Sequence, residues 1–334
     1  MKLLPRETDI LGTHNDWVIT QNEKFQELIS DLRSKKTESG KFERPWDFEI
    51  VPGFFKQSDP NTNDADFSYI EDDFGLDCES WEDLATNLEK LNEDAKENES
   101  YKLLFCARHG EGYHNYALQK YGREDWINHW SRLGTDGEMV WGPDPFLTKL
   151  GEKQADVNRD AWLKNLEKGT PMPTKFYSSP FTRSAMTLVR TWDGICIEGD
   201  IATSSGGTLL KEKMTPVIVE DLRETIGKHL CDKRSNKQII EERLDKYGFV
   251  FEPNFLFEDE FYKDDYRESY CEQAVRADNF LQSVFENDKD HQIISVTSHS
   301  GTIRALLMAT KHRRFAISTG GMIPIVVKAT RKDD

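Results

Sequence analysis

From Tyr101 onwards, short apolar runs alternate with longer amphipathic stretches. The run at 103–107 predicts a buried strand, and apolar residues at helical spacing predict helices at 113–121 and 149–167. The alternation continues along the chain, with predicted strands at 175–179, 217–222, 292–297 and 323–327 and predicted helices from Thr182, at 235–247, at 268–287 and through Leu307. This order is typical of a sheet built from β-α units, so we expect an α/β fold.

The first hundred residues are acidic and rich in aromatic side chains. They hold 25 Asp and Glu against 11 Lys and Arg, whereas the rest of the chain holds 35 against 33. Aromatic residues as frequent as these usually pack in a core, and apolar spacing predicts helices at 21–35 and 80–97. We therefore expect residues 1–100 to form an acidic extension packed on a domain of residues 101–334. We favour a solvated surface or a partly disordered leader over a docking site for a basic partner as the reason for its charge.

The composition of the whole chain narrows the class of protein. Its 334 residues are 37% hydrophobic, which is enough for a sizeable core, and its formal charge of −16 disfavours nucleic-acid binding. No apolar run reaches membrane-spanning length, and the first residues do not resemble a secretory signal. The five cysteines include no Cys-x-x-Cys pair, which predicts reduced thiols. We expect a soluble protein of the cytoplasm or nucleus, with neither a membrane nor a nucleic-acid partner.

Polar clusters follow four of the predicted strands. They are Arg108-His109-Gly110, Ser179-Pro180-Phe181-Thr182-Arg183, Arg223-Glu224 and Ser298-His299-Ser300-Gly301. In an open, mostly parallel sheet, ligands bind in the crevice at the carboxyl ends of the strands. We therefore expect these clusters to converge there.

The residue types in these clusters suit phosphoryl transfer without a metal. A neutral His109 can attack phosphorus and hold the phosphoryl group covalently. Arg108 and Arg183 can bind its equatorial oxygens, and a protonated His299 can add another donor. Glu224 can protonate the leaving alcohol and later activate water. No His-Glu-x-x-His segment and no Asp-rich Mg²⁺ loop is present, so we expect neither a metal nor a cofactor.

Five segments of the chain occur in the order and approximate spacing of a known family. They are Arg108-His109-Gly110, Thr148-x-x-Gly151-x-x-Gln154, Ser178-Ser179-Pro180-x-x-Arg183, Leu222-Arg223-Glu224 and Ser298-His299-Ser300-Gly301. The set resembles branch 1 of the histidine phosphatase, or phosphoglycerate mutase-like, superfamily. The segments that begin at Ala107 and Leu222, together with Val51-Pro52-Gly53-Phe54-Phe55, resemble its fungal phosphomutase-like proteins, so the resemblance covers about residues 50–330.

This resemblance implies a fold and a set of roles. The fold is a three-layer α/β/α sandwich with a mostly parallel central sheet, to which the acidic N-terminal extension is added. His109 is the phosphorylated nucleophile, Glu224 is the proton donor, and Arg108, Arg183 and His299 form the phosphate pocket.

Further residues near these motifs are candidates for substrate binding. His114 and Asn115 either contact substrate or anchor the helix after the nucleophile, and Glu111 and Ser300 belong to the same candidate group. Arg234 either binds a second anionic group of the substrate or belongs to a structural cluster of ion pairs.

Three functions are compatible with these residues. The first is a phosphatase that acts on small phosphomonoesters through a phosphohistidine and takes phosphate or vanadate as a site ligand. The second is a phosphomutase on a phosphorylated sugar or sugar acid. Glycolytic mutases of the superfamily carry a Ser and a Trp shortly after Arg-His-Gly-Glu, whereas Glu111 is followed here by Gly112-Tyr113-His114-Asn115, and this favours the phosphatase. The third is a noncatalytic interaction module that uses the fold as a scaffold.

Overall fold

A twisted sheet forms the centre of the computed structural model, which describes residues 1–14, 16–198 and 210–332 and, for Asp16 and Trp17, the backbone alone. Seven strands pair in these ranges, in the spatial order β1-β7-β2-β6-β3-β4-β5. They are β1 (Trp46–Ile50), β2 (Glu99–Arg108), β3 (Lys175–Ser178), β4 (Val217–Ile218), β5 (Val250–Phe251), β6 (Ile293–Ser298) and β7 (Met322–Arg331).

The strands that position the polar clusters run in one direction. β2 pairs with β6, β6 with β3, β3 with β4 and β4 with β5, all in parallel, whereas β7 is antiparallel to both β1 and β2. In the register, Arg108 lies opposite Ser298, and Ser178 lies opposite Thr297. The carboxyl ends of three neighbouring strands therefore lie at the same level of the sheet.

Helices cover both faces of this sheet. The described residues include α1 (Glu7–His14), α2 (Asp16–Leu32), α3 (Trp81–Glu93), α4 (Tyr113–Tyr121), α5 (Arg123–Asn128), α6 (Lys149–Glu167), α7 (Thr182–Trp192), α8 (Lys237–Leu244), α9 (Tyr270–Asn287) and α10 (Ser300–Ala309). None of these helices is both long enough and apolar enough to cross a membrane.

Alternation along β2 divides the apolar side chains between two cores. Leu104 and Cys106 belong to the core formed with α2, α9 and α10, whereas Leu103 and Phe105 belong to the core formed with α3, α6 and α7. Successive side chains of a strand point to opposite faces, so the two cores lie on the two sides of the sheet. The structure confirms the expected three-layer α/β/α sandwich with a mostly parallel sheet.

Most predicted elements are present, and the helices expected at 113–121 and 149–167 have those bounds in the structure. The strand expected at 217–222 is shorter, because β4 ends at Ile218 and a 3-10 turn occupies Glu220–Leu222. The last strand is longer than 323–327 and extends to Arg331, because its second half pairs with both β1 and the start of β2.

The first hundred residues contribute to the same sheet and cores. β1 pairs along its whole length with β7, and Phe48 is fully buried in the core that contains Leu104 and Val296. In β1, the residues Trp46, Phe48 and Ile50 alternate with acidic residues. This is a strand pattern, but the segment was not among the strands predicted from the sequence.

Candidate active site

His109 directly follows β2, and its proton can be assigned from its surroundings. Its Nδ1 lies 2.6 Å from the carbonyl oxygen of Gly110. Because a carbonyl only accepts hydrogen bonds, Nδ1 carries the proton and Nε2 keeps its lone pair in the neutral ring. Burial and the charges of Arg183 and Arg108 lower the pKa of His109 well below its usual value. Near neutral pH the ring is therefore an uncharged base with an available Nε2.

The N-terminus of α6 fixes the loop that carries His109. Thr148 caps this helix by accepting a hydrogen bond from the Gly151 N–H, and the Gln154 side-chain oxygen accepts one at 2.7 Å from the Glu111 N–H. A Cβ on Gly151 would lie 2.1 Å from the Glu111 carbonyl oxygen, and one on Gly110 would lie 2.3 Å from the Gly151 carbonyl oxygen. Only glycines permit this close approach of the two backbones.

Arg183 is held at the start of α7 and is fully buried. Its Nη1 donates to the Cys231 carbonyl at 3.0 Å, and its Nη2 lies 3.6 Å from the Asp232 carboxylate without a hydrogen bond. Among the described residues, neither Nε nor Nη2 of Arg183 has a hydrogen-bond partner, and the same is true of Arg108 Nε. Such buried donors are costly unless a ligand accepts from them, which makes this a candidate anion pocket.

His299 follows β6 and lies beside the first histidine. The ring centroids of His299 and His109 are 5.0 Å apart. The His299 Nε2 contacts the Ser179 hydroxyl at 2.7 Å, and its Nδ1 has no hydrogen-bond partner in the described part of the chain. Burial and the charge of Arg183 lower its pKa well below the usual value, so the free site contains a neutral His299.

Glu224 approaches the two histidines from the loop that follows the 3-10 turn after β4. One carboxylate oxygen accepts from the Thr225 N–H at 2.9 Å, and the other lies 3.6 Å from His299 Nδ1. A Cβ on Gly301 would lie 2.8 Å from the first of these oxygens, so the small residue at the start of α10 leaves room for the carboxylate.

A cavity of about 390 Å³ opens beside these residues. Its walls include five of the residues predicted for the site from the sequence, in addition to Arg108: His109, His114, Asn115, Glu224 and Ser300. Arg183 and His299 do not line this cavity and are fully buried. The His114 ring is 5.4 Å from the ring of His109, and its Nδ1 is buried without a hydrogen-bond partner among the described residues.

Two predicted substrate-binding residues are directed elsewhere. The Glu111 carboxylate is buried and accepts hydrogen bonds from Arg6, Gln119 and Thr148, so it ties the loop that carries His109 to its neighbours. Arg234 pairs with Glu220 and donates to backbone carbonyls of the segment 256–258. Neither lines the cavity, because local ion pairs and carbonyls already use their polar atoms.

The cavity also has walls that the sequence analysis did not assign to the site. They include Thr8, Asp9, Leu11 and Gly12 of α1, together with Arg123, Trp126, His229, Arg267 and Arg304. The motif pattern gave no signal for the α1 residues, since about a hundred positions separate them from His109.

Two clusters have ligand types that could hold a metal. His109, Glu224 and His299 bring one atom each within 4.8 Å of one another, and so do His229, Cys231 and Asp232. The charges of Arg108 and Arg183 oppose a cation in the first cluster. In the second, Arg267 occupies the Asp232 carboxylate at 2.6 Å, and burial and the Asp232 charge raise the pKa of the Cys231 thiol. Both environments are therefore unfavourable for a metal ion.

Three fungal relatives are similar to this chain over most of its length. A probable phosphoglycerate mutase of Arthroderma benhamiae is 32% identical over 302 residues, which are 86% of each chain. Phosphomutase-like protein 3 of Candida albicans is 36% identical over 82% of this chain and 78% of its own length, and a probable phosphoglycerate mutase of Saccharomyces cerevisiae is 34% identical over 69% and 80%. The chain therefore belongs to the histidine phosphatase, or phosphoglycerate mutase-like, superfamily.

Solved structures with lower similarity include two phosphatases. A mycobacterial glucosyl-3-phosphoglycerate phosphatase in complex with VO3 is 21% identical over 62% of this chain and 81% of its own, with a TM-score of 0.32. The ecdysone phosphate phosphatase of Bombyx mori in complex with tungstate is 19% identical over 62% and 76%, with a TM-score of 0.36. No protein-family model matches the chain.

Proposed function

We propose that this protein is a phosphatase that hydrolyses phosphomonoesters of small molecules through a phosphohistidine on His109, without a metal. One observation supports the proposal above the others. The neutral, buried ring of His109 lies 5.0 Å from that of His299 and close enough to Arg183 and Arg108 for their charges to lower its pKa, and Nε of both arginines and Nη2 of Arg183 have no hydrogen-bond partner in the described part of the chain. A phosphoryl group is an anion that can accept from all of these donors while its phosphorus faces Nε2.

The first step transfers the phosphoryl group to the protein. The Nε2 lone pair of His109 forms a bond to phosphorus while the bond between phosphorus and the leaving oxygen breaks. The charge on the equatorial oxygens is stabilised by Arg108 and Arg183, and Glu224 in its protonated form gives its proton to the leaving oxygen. The products are the free alcohol, a phosphohistidine and an ionised Glu224.

The second step releases phosphate. The Glu224 carboxylate takes a proton from water as the water oxygen attacks phosphorus, and the bond between phosphorus and Nε2 breaks. Inorganic phosphate leaves, and both His109 and Glu224 return to their starting states. The hydrogen bond from Nδ1 to the Gly110 carbonyl keeps the ring in the same orientation through both steps.

A chromogenic assay tests this proposal on the full chain. We expect p-nitrophenyl phosphate to be hydrolysed equally with and without EDTA, and we expect His109→Gln to lower kcat by about 10⁴-fold or more, as nucleophile substitutions do. The matched control is His129→Gln, which changes an exposed histidine that does not line the cavity. Loss of activity in EDTA, or full activity of His109→Gln, would contradict the proposal.

A phosphomutase is the second candidate, because relatives from Arthroderma benhamiae and Saccharomyces cerevisiae carry the name phosphoglycerate mutase. In that reaction the phosphohistidine returns its phosphoryl group to another hydroxyl of the substrate before water attacks. Incubation with a phosphorylated sugar acid and separate measurement of isomer and phosphate distinguishes the two. Isomerisation faster than phosphate release would favour the mutase.

A further inference from the structure

The first helix contributes an acidic side chain to the catalytic cavity. Thr8, Asp9, Leu11 and Gly12 of α1 line the cavity beside Arg108. The Arg108 Nη1 donates to Asp9 Oδ1 at 2.7 Å, and the two side chains are only 7% and 13% exposed. A charge-assisted bond of this kind, largely shielded from water, is stronger than a surface ion pair.

Contacts at both ends hold α1 and the residues before it in this position. Leu3 is buried in the core that contains Phe105, and its carbonyl accepts a hydrogen bond from the Ser318 hydroxyl at 2.8 Å. At the other end, His14 Nε2 lies 2.6 Å from a carboxylate oxygen of Asp64. Segment 1–14 is therefore docked on the domain by its own packing, independently of Asp9.

A second ion pair joins the same segment to the nucleophile loop. The Arg6 Nη2 lies 2.7 Å from a carboxylate oxygen of Glu111, two residues after His109. The backbone N–H of Arg6 also donates to Asp9 Oδ2 at 3.0 Å. The Asp9 carboxylate is thus fixed from two sides, by the helix N-terminus through one oxygen and by Arg108 through the other.

The atoms that Asp9 contacts determine which edge of the guanidinium remains available. Arg108 Nη1 donates to Asp9 and to the Ile317 carbonyl, both at 2.7 Å. In a guanidinium group, Nε and Nη2 form the opposite edge, which can bind two oxygens of one phosphate. Arg108 Nε is buried without a hydrogen-bond partner among the described residues, which agrees with an edge turned toward a ligand. Burial alone would raise the pKa of Asp9, but Arg108 and the Arg6 N–H outweigh it and lower that pKa, so the carboxylate is ionised.

We propose that Asp9 is a positioning residue, which holds Arg108 Nη1 so that its Nε and Nη2 edge faces the phosphoryl group. The side of α1 that carries Thr8, Asp9, Leu11 and Gly12 is then part of the active site. The inference rests on the proposed phosphatase function. The opposite role would be competition, in which Asp9 occupies an arginine that the substrate needs.

Substitution of Asp9 separates these two roles, because they predict opposite changes in the affinity for vanadate. In the full chain, Asp9→Asn keeps the shape of the side chain and removes its charge. We expect it to weaken vanadate binding, measured by calorimetry, and to lower kcat/KM for p-nitrophenyl phosphate by between about tenfold and a hundredfold, the cost of a misplaced binding group. Vanadate binding that is unchanged or tighter than in the wild type would overturn the proposal.

Glu7→Gln is the matched control, because it removes the same charge from the same helix turn at an exposed position that does not line the cavity. We expect wild-type kinetics from it. Asp9→Glu should recover part of the vanadate affinity that Asp9→Asn loses, because it restores a carboxylate that can accept from Arg108. Similar circular dichroism for Asp9→Asn and Glu7→Gln would show that the helix persists in both.

An Arg108→Ala background tests whether Asp9 acts through Arg108. There we expect Asp9→Asn to cause no further loss of vanadate affinity, and a further loss of the full size would overturn the proposal. A wild-type chain that neither binds vanadate nor releases phosphate would instead contradict the phosphatase function itself. Wild-type turnover combined with equal behaviour of Asp9→Asn and Glu7→Gln would contradict only the role of Asp9.

Discussion

At the scale of single residues, the site depends on which nitrogen carries a proton. The Gly110 carbonyl assigns the proton of His109 to Nδ1, and burial with two arginines keeps the ring neutral. The same burial lowers the pKa of His299. A phosphate dianion would raise both pKa values, because it brings negative charge to within a few ångströms of the rings. In the proposed mechanism, the free site therefore holds a neutral His109 that can attack phosphorus, and the additional proton favoured by bound phosphate belongs on the neighbouring His299.

Glu224→Gln tests the proton donor by its dependence on the leaving group. An alkyl phosphate needs protonation of the leaving oxygen, so we expect kcat/KM to fall by about 10²- to 10⁴-fold, the usual contribution of general acid catalysis. The better leaving group of p-nitrophenyl phosphate needs less help, so its kcat/KM should fall much less. Exposed Glu97, which precedes the opposite end of β2, provides the control Glu97→Gln. Equal losses for the two substrates would argue against a proton-donating role.

At the scale of elements, α6 supports the loop that carries His109, although none of its residues lines the cavity. Thr148, Gly151 and Gln154 each contact Glu111 or its neighbours through the helix N-terminus. The spacing of three places all of them on one face of the helix. The Thr148-x-x-Gly151-x-x-Gln154 motif, which carries part of the family resemblance, therefore supports the loop that carries His109.

Gly151→Ala should therefore affect both stability and activity. Its Cβ would meet the Glu111 backbone at 2.1 Å, so the loop or the helix has to move. We expect a loss of about 1–3 kcal/mol in the free energy of unfolding, as for other overpacked sites, and a fall in kcat/KM of about tenfold or more. Urea unfolding and steady-state kinetics measure the two effects. The exposed Lys153 of the same helix gives the control Lys153→Ala, and wild-type behaviour of both variants would show that the loop tolerates the extra carbon.

At the scale of the whole molecule, the acidic first hundred residues and the remainder share their cores. β1 lies at one edge of the sheet beside β7. α2 packs against α9, and both helices belong to the core that contains Phe48 of β1. Most charged side chains of this region are exposed or half-buried, while aromatic side chains such as Phe74 and Trp81 join the second core. The acidic side chains and the buried aromatic side chains therefore lie on different faces of the same segments.

Phe48→Ala should destabilise the whole domain rather than β1 alone. The side chain is fully buried and packs against Phe285 of α9, with ring centroids 5.4 Å apart. We expect a loss of about 3–5 kcal/mol, typical of a buried Phe→Ala change. Calorimetry should show one cooperative transition that moves to lower temperature. The control Phe257→Ala, at a side chain that is 54% exposed, should change stability by less than about 0.5 kcal/mol, and a separate early transition in Phe48→Ala would contradict a shared core.

The local pattern of the sequence predicted much of this architecture. A continuous apolar run gave the strand at 103–107, and apolar residues at helical spacing gave the helices at 113–121 and 149–167, because such patterns follow from backbone geometry within a few residues. The polar clusters at strand ends then indicated the edge of the sheet where a cavity lies. The short β4 was overestimated, since its apolar run continues into a 3-10 turn without a change of pattern.

Only the tertiary structure decided which polar groups face the cavity. Glu111 and Arg234 have suitable chemistry for substrate binding, but neighbouring segments occupy their polar atoms. Asp9 carried no sequence signal, and it reaches Arg108 across 99 positions of the chain. A local period cannot encode such a pairing, because it arises from the packing of distant segments. The sequence by itself therefore determined most of the strands and helices and the types of residue at the strand ends, and folding decided their partners.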